Sequence, residues 1–241
     1  MLSKTQGIVL NKVKFGDSGF VLKVYTANFG LQSFLIQGIR KKNAKLKANL
    51  FQPLSLLDLV IYRKENSTLH RIKELKSNFP FTSIPYDIVK SSLALFITEV
   101  LINTIKEEEK NPALFDFLIH GIKILDLHQS NIANFHLLFL SKLSRHLGFY
   151  PTGDFEKGNN YFDLQEGSFV AQQPIHPHFL DEEYAQIFNT ILGINFEALN
   201  SINITKEQRK YLLEQLVNYY QFHLSETKKI QSHKVLEEVM C

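Results

Sequence analysis

The fold of the first third of the chain is predicted outward from residues 20–25, Phe20-Val21-Leu22-Lys23-Val24-Tyr25. Phe20, Leu22 and Val24 recur at every second position, which is the period of a half-buried β-strand. The turn-forming residues Gly16-Asp17-Ser18-Gly19 precede this run, and Asn28-Phe29-Gly30 follow it. A strand between two tight turns predicts antiparallel β-structure.

The same pattern extends outward from these residues, from Gly7 to about Phe79. Four further strands are expected over residues 8–15, 31–37, 54–64 and 69–76. Five short strands, with turn signals at intervals of about 8–12 residues, predict a small antiparallel barrel or sandwich. Because this region also has a basic face, we favour the five-stranded OB-fold, a barrel that binds oligonucleotides.

Two prolines, Pro80 and Pro85, mark the end of this predicted domain, which we place at residues 1–79. Over residues 80–241 the apolar period changes to 3.6, which predicts an all-α domain. Helices are expected near residues 89–105, 112–127, 131–147, 181–192, 206–224 and 232–239, with Thr205 and Gln208 as a capping box. An irregular insertion at about 149–178 contains a predicted β-hairpin, 161–164 with 168–170. The predicted fold class is therefore α+β.

Charge is distributed unevenly along the chain. Residues 1–79 carry fourteen Lys and Arg against four acids, a net charge of +10, and the remainder carries thirteen against twenty, a net of −7, which together give +3. Such asymmetry suggests that the first domain meets a polyanion.

The strongest charge run is Gly38-Ile39-Arg40-Lys41-Lys42-Asn43-Ala44-Lys45-Leu46-Lys47, between two predicted strands. It holds five cations without an acid, and like charges at this spacing repel unless an anion binds. A phosphate backbone is the favoured anion, because each cation that contacts it releases condensed counterions. A solvated loop is the alternative for this run taken alone. We predict that Arg40, Lys41, Lys42, Lys45 and Lys47 bind nucleic acid.

The flanking strands add further candidates. Lys12 and Lys14 share one face of the first strand, and Lys23 and Tyr25 share one face of the second. Single strands are held by cations that follow the backbone and by aromatic rings that stack on bases. Among the aromatic residues, we favour Tyr25 and Tyr62 for stacking because a tyrosine hydroxyl can stay hydrated. We expect Phe29, Phe34 and Phe51 to lie in the core.

No pattern in the chain indicates catalysis. Cys241 is the only cysteine, which excludes an internal disulfide and a cysteine-based zinc site. The histidines lack metal-ligand spacing, and His176-Pro177-His178 is the closest pair. Phosphate-binding loops and catalytic motifs are missing. We expect a non-enzymatic protein without cofactors or metal. Without a signal peptide or a membrane span, we expect it in the cytoplasm, associated with the nucleoid.

Nearly the whole chain resembles the RecO family of bacterial recombination mediators. In the first third the resemblance rests on Thr5–Leu10, Gly16–Ser18, Tyr25-Thr26, Phe29-Gly30, Gly38–Lys41 and Leu50–Leu54. In the helical part it rests on Phe139, Leu143, Leu147-Gly148, Pro151, Tyr219-Tyr220, His223-Leu224 and Ser232–Leu236. Each motif is loose by itself, and their order and spacing carry the resemblance.

The resemblance implies an N-terminal OB-fold packed on a helical domain, with the family's basic segment at Arg40, Lys41 and Lys42. It implies binding of single- and double-stranded DNA and annealing of single strands. The implied partners are RecR and the C-terminal tail of single-strand binding protein, with RecF and RecA as indirect partners. Together they would displace the single-strand binding protein so that RecA loads at gaps during homologous recombination.

One departure from the family pattern concerns zinc. Many family members hold the insertion with four cysteines, and residues 150–174 here contain none. We therefore expect packing of Tyr161, Phe162 and Phe169 to hold the hairpin instead. No family motif locates the pocket for the acidic tail. Lys142, Arg145 and His146 are our candidates for partner binding, because cations beside apolar residues suit a carboxylate.

Two other functions stay open at this point. An RNA-binding OB-fold protein fits equally well, because backbone contacts and stacking serve RNA and DNA alike. A protein-interaction module, in which the basic run docks on an acidic partner, would have no nucleic-acid affinity.

Overall fold

A closed five-stranded barrel occupies the first third of the chain. The computed structural model describes residues 2–16, 19–36, 49–63, 67–130, 132–155, 158–224 and 229–240. The barrel strands are β1 (Leu2–Phe15), β2 (Gly19–Thr26), β3 (Gly30–Ile36), β4 (Leu56–Tyr62) and β5 (His70–Phe79). They join in the order β1-β2-β3-β5-β4, and β4 pairs with β1 to close the barrel. This is the OB-fold, which confirms the predicted fold class.

Strand β1 pairs with two neighbouring strands. Its first half pairs with β4 and its second half with β2, and the register shifts between Val9 and Asn11. A bulge of this kind bends a strand and lets it pass from one side of a barrel to the other. The strand begins at Leu2, six residues before Ile8, where the sequence pattern placed its start. The pattern missed these residues because Ser3 to Gln6 are polar and show no apolar alternation.

Inward-facing side chains from the strands fill the barrel. The buried core consists of Val9, Phe20, Leu22, Val24, Phe34, Ile36, Phe51, Leu57, Leu59 and Ile61. Phe34 and Phe51 are core residues, as predicted, and Phe29 packs against the core while partly buried. Phe51 belongs to a 3-10 helix, Asn49–Phe51. Its ring packs edge-on against the ring of Phe20 at one end of the barrel.

Within the described residues, six α-helices follow the barrel. They are α1 (Ile88–Thr104), α2 (Pro112–Leu127), α3 (Phe135–His146), α4 (Glu182–Gly193), α5 (Lys206–His223) and α6 (Ser232–Val239). The predicted capping box of Thr205 and Gln208 is present at the start of α5. A 3-10 helix, Phe196–Ser201, was not predicted.

By its internal contacts, the chain divides into two compact units, Met1–Asp126 and Leu127–Cys241. The first unit therefore contains α1 and nearly all of α2 beside the barrel. The domain boundary at residue 79 was read from proline positions and periodicity, and it stays a prediction.

The irregular insertion in the second unit is a three-stranded sheet. Its strands are β6 (Tyr161–Asp163), β7 (Ser168–Val170) and β8 (Phe179–Leu180), in the order β7-β6-β8. The hairpin of β6 and β7 was predicted, and β8 was not, because two residues are too short for a sequence pattern. Phe162 is fully buried, with its ring centroid 4.9 Å from that of Phe169 and 4.9 Å from that of Phe188. Tyr161 packs on Phe179, so aromatic packing holds the insertion, as predicted.

Candidate nucleic-acid interface

Two of the predicted cations lie at the end of the barrel where Phe20 packs on Phe51. Lys12 is paired across the strands with Leu22, and Lys14 with Phe20, so both lysines project from the core-side face of the β1–β2 ribbon. The Lys12 ammonium lies 4.6 Å from the ring centroid of Phe20 and 5.9 Å from that of Phe51. These distances allow cation–π attraction. Both lysines remain exposed, so their charge is available to an anion at this end.

The basic segment Arg40, Lys41, Lys42, Lys45 and Lys47 falls outside the described residues, but its two flanks are described. Strand β3 ends at Ile36, which is paired with Phe20. On the other side, the Phe51 ring lies 5.0 Å from the Phe20 ring. Both flanks therefore contact the same core residue. Two strand spacings separate Lys14 from Ile36, which places their backbones about 10 Å apart.

Lys23 lies on the opposite face of the ribbon from Lys12 and Lys14. Its partners across the strands are Asn11 and Ser33, and it is half-exposed. A strand alternates its side chains, so neighbours of a core residue such as Leu22 point outward. Lys12 and Lys14 thus lie on one face and Lys23 on the other, a distinction that the sequence pattern did not make.

The expectation for Tyr25 is wrong. Its side chain is 1 % exposed, and its ring centroid lies 6.1 Å from that of Phe115 in α2. Burial, with a smaller contribution from Glu107, raises the pKa of Tyr25 to about 12. Tyr25 does share the outer face with Lys23, as predicted, but a helix covers that part of the barrel. A buried ring cannot stack on a base.

Five residues form a row of cross-strand partners on the outer face, and the sequence did not predict that they are neighbours. The row runs from Val13 through Val21, Leu35 and Arg71 to Tyr62, one residue from each barrel strand. Val13 is 56 % exposed and Tyr62 51 % exposed. Alternation within each strand hints at which residues face outward. The row itself depends on the register between strands, and above all on the parallel pairing of β3 with β5.

The three predicted partner-binding residues are close together in the second unit. The Lys142 ammonium donates to the carbonyl oxygen of Leu192, at 2.8 Å, and thereby caps the end of α4. Arg145 is exposed, and its guanidinium lies 4.2 Å from the ring centroid of Tyr150. Burial, and then the charge of Arg145, lowers the pKa of both Lys142 and His146. His146 is therefore mostly neutral at pH 7. A partner's carboxylate would have to compete with the Leu192 carbonyl oxygen for the Lys142 ammonium. Their role in partner binding stays a prediction.

The described part of the chain offers neither a cluster of metal ligands nor a membrane-spanning helix. Among these residues, no group of three or more His, Cys, Asp and Glu side chains could hold a metal ion. His176, from the closest histidine pair, instead bonds to the buried Asp163 carboxylate at 3.1 Å. Within the same residues, no helix is both long and apolar enough to cross a membrane.

Comparison with known proteins finds one family along nearly the whole chain. The family model described as Recombination protein O N terminal matches residues 1–81, and the one described as Recombination protein O C terminal matches residues 85–231. The chain belongs to the RecO family. Its RecO relatives include a DNA repair protein RecO of Bacteroides fragilis, 39 % identical over 240 residues and 99 % of each chain. Proteins of the same name from Phocaeicola vulgatus and Flavobacterium psychrophilum are 38 % and 37 % identical, again over 99 % of each chain. RecO family membership supports a role in DNA repair and recombination.

Proposed function

We propose that this protein binds and anneals single-stranded DNA as a non-catalytic mediator of homologous recombination. The observation that carries the proposal is the arrangement around Phe20 in a RecO-family barrel. Lys12 lies over the Phe20 ring, Lys14 is paired with Phe20, and both flanks of the basic segment contact it. Cations gathered at one end of an OB-fold suit a phosphate backbone, which gains affinity by counterion release.

Partner binding belongs to the same proposal. In this scheme, RecR and the C-terminal tail of single-strand binding protein engage the protein, which helps RecA load on DNA coated by the single-strand binding protein. Arg145 is the best placed of the predicted partner-binding residues, because its cation is exposed beside an aromatic ring. A carboxylate tail that ends in an apolar residue fits such a pairing of charge and ring.

A salt titration tests the DNA part. Binding of a labelled 30-nucleotide single strand is measured by fluorescence anisotropy at several salt concentrations, for the wild type and for a variant with Arg40→Glu, Lys41→Glu and Lys42→Glu. For single strands, log affinity falls by about 0.7 per neutralised phosphate for each unit of log salt. We expect the variant to bind more weakly, with a slope smaller by about 2.

The matched control is a variant with Lys110→Glu, Lys229→Glu and Lys234→Glu, which changes the net charge equally at exposed positions outside the barrel strands. Its slope should equal that of the wild type. If reversal at residues 40–42 also leaves the slope unchanged, the basic segment is not the interface. If the wild type does not bind DNA at low salt, the proposed function is wrong and a protein partner for the basic segment is favoured.

Annealing and RecA loading need separate measurements. Two complementary labelled strands, coated with single-strand binding protein, should anneal faster in the presence of this protein. RecA filament formation on coated DNA should also accelerate when this protein and RecR are added together. An unchanged rate in both assays, with intact DNA binding, would restrict the function to DNA binding alone.

A further inference from the structure

Tyr62 occupies an unusual position for a large aromatic residue in a small barrel. It is the last residue of β4, and its side chain points to the outer face, where it is half-exposed. Its partner on β5 is the exposed Arg71 and its partner on β1 is Leu2, also half-exposed. In a barrel this small, most large rings fill the core, as Phe34 does. A half-exposed aromatic side chain whose cross-strand partner is an exposed arginine therefore points to binding rather than to packing.

The position of Tyr62 within the outer row connects it to the candidate interface. Arg71 is paired with Leu35, and Leu35 with Val21, which precedes Lys23 by two positions on the same face of β2. At normal strand spacing, Tyr62 lies about 14 Å from β2 around the barrel wall. It also lies where β4 ends and the β4–β5 loop begins. In OB-folds this loop and the face of β2 and β3 contact oligonucleotides.

We propose that Tyr62 stacks on a base of bound single-stranded DNA while Arg71 contacts a neighbouring phosphate. This inference rests on the proposed function, because it requires that the barrel bind single strands. Stacking on an aromatic ring tolerates any base, since every base has a π-face. Arg71 adds a charge-assisted contact to a phosphate oxygen. Together they would add a contact area made of described barrel residues to the contacts that we propose for Lys12 and Lys14.

Four substitutions test the pair. Loss of one stacked base corresponds to about 1–3 kcal/mol, which is roughly a 5- to 150-fold loss of affinity. We expect this loss for Tyr62→Ala and for Tyr62→Leu, which keeps apolar bulk at a half-exposed site and should not unfold the barrel. Tyr62→Phe should bind like the wild type, because it keeps the ring. Arg71→Ala should reduce the salt slope by about 0.7, whereas the Tyr62 variants should leave the slope unchanged.

Tyr86→Ala is the matched control, because Tyr86 is 84 % exposed and lies outside the barrel strands. It should leave DNA affinity unchanged. A single strand of abasic sugar-phosphate provides a second control, since Tyr62→Ala should bind it as tightly as the wild type does. Photocrosslinking to a DNA strand that carries 5-iodouracil should yield an adduct at Tyr62.

The outcomes separate the inference from the proposed function. If the wild type binds DNA and Tyr62→Leu binds equally well, the stacking proposal is overturned and the function stands. If Tyr62→Leu loses equal affinity for normal and abasic strands, Tyr62 acts through the fold and not through a base, which also overturns it. If the wild type does not bind DNA at all, the proposed function fails first.

Discussion

Removal of the Asp126 carboxylate should destabilise the first unit more than any other single polar substitution that we describe. Asp126 is 1 % exposed at the end of α2, and its carboxylate accepts hydrogen bonds from the segment that joins the barrel to α1. The donors are the amide and hydroxyl of Thr82 at 2.8 Å each, and the amides of Ser83 and Ile84 at 2.9 Å each. The buried Lys90 ammonium donates to the Asp126 carbonyl oxygen, at 3.0 Å, and to the Ser83 hydroxyl oxygen. One side chain therefore organises the whole connection.

The size of the effect follows from the groups left without an acceptor. Hydrogen bonds to a charged group contribute about 1.5–3 kcal/mol each, and the four bonds are not additive because they share one carboxylate. We expect Asp126→Ala to lower the free energy of unfolding by about 3–5 kcal/mol. For a chain of this length that corresponds to a fall in Tm of roughly 6–20 °C. Asp126→Asn keeps one acceptor oxygen, so its loss should be about half as large.

The measurement is urea unfolding followed by circular dichroism, with thermal unfolding beside it. Asp87→Ala is the control, since Asp87 is an exposed N-cap whose side chain accepts from the amides of Val89 and Lys90 at the start of α1. Loss of such a cap costs about 1 kcal/mol. If Asp126→Ala lowers the free energy of unfolding no more than Asp87→Ala does, the Asp126 hydrogen bonds do not stabilise this connection.

The same carboxylate gives the stability a pH dependence. Burial raises the pKa of Asp126, but the amides of Ile84, Thr82 and Ser83 and the Thr82 hydroxyl together lower it below its ordinary value of 3.8. The folded state thus binds this proton less tightly than the unfolded state, so the stabilisation is present above about pH 4. It is lost as the pH falls from there through the lower folded value. Between pH 5 and pH 3, unfolding of Asp126→Asn should depend less on pH than unfolding of the wild type, and equal dependence would contradict this.

Two further substitutions test the barrel turn and the insertion. Gly30→Ala would place a Cβ 2.5 Å from backbone oxygens of the α1–α2 loop at a φ of +60°, so we expect a loss of about 3 kcal/mol or more in urea unfolding. Gly16 has a similar φ of +61° but open space around an added Cβ, so Gly16→Ala should lower the free energy of unfolding by only about 1 kcal/mol. Equal losses of stability at the two glycines would show that the close approach to the α1–α2 loop is not important. Phe162→Ala removes the fully buried ring that packs on Phe188, and should cost about 3–5 kcal/mol. The partly exposed Phe222 should lose less than 1 kcal/mol on substitution by Ala, and a similar cost at both sites would show that Phe162 does not support the insertion.

The placement of the cations has a consequence for how DNA would lie on the barrel. Lys12 and Lys14 belong to the core-side face of the β1–β2 ribbon, and Lys23 to the outer face. A single strand that contacts all three has to pass over the end of the barrel near Phe20 instead of following one flat surface. The DNA affinity of variants with charge reversal at Lys12 and Lys14, at Lys23, and at all three positions would test whether both faces contact DNA. If the contacts are independent, their effects on log affinity should add.

Most of the helices and strands could be predicted from the sequence. Alternation of apolar residues, tight turns and helix caps act over a few residues, and they predicted the five barrel strands, six helices and the hairpin of the insertion. The capping box at Thr205 is one example, because both of its hydrogen bonds join residues only three positions apart. The basic run and the charge asymmetry are also properties of the sequence alone, and they indicated a polyanion partner before any fold was known.

Which candidate residues lie together on the surface depends on contacts between distant segments. Tyr25 alternates as an outward residue should, yet a helix about ninety residues later in the chain buries it. Tyr62 meets Arg71 only because β4 and β5 pair in one register, and Asp126 holds residues 82–84 across more than forty positions of sequence. Local patterns encode the direction of a side chain relative to its own strand or helix. What covers that side chain depends on packing between distant segments, which no short stretch of sequence records.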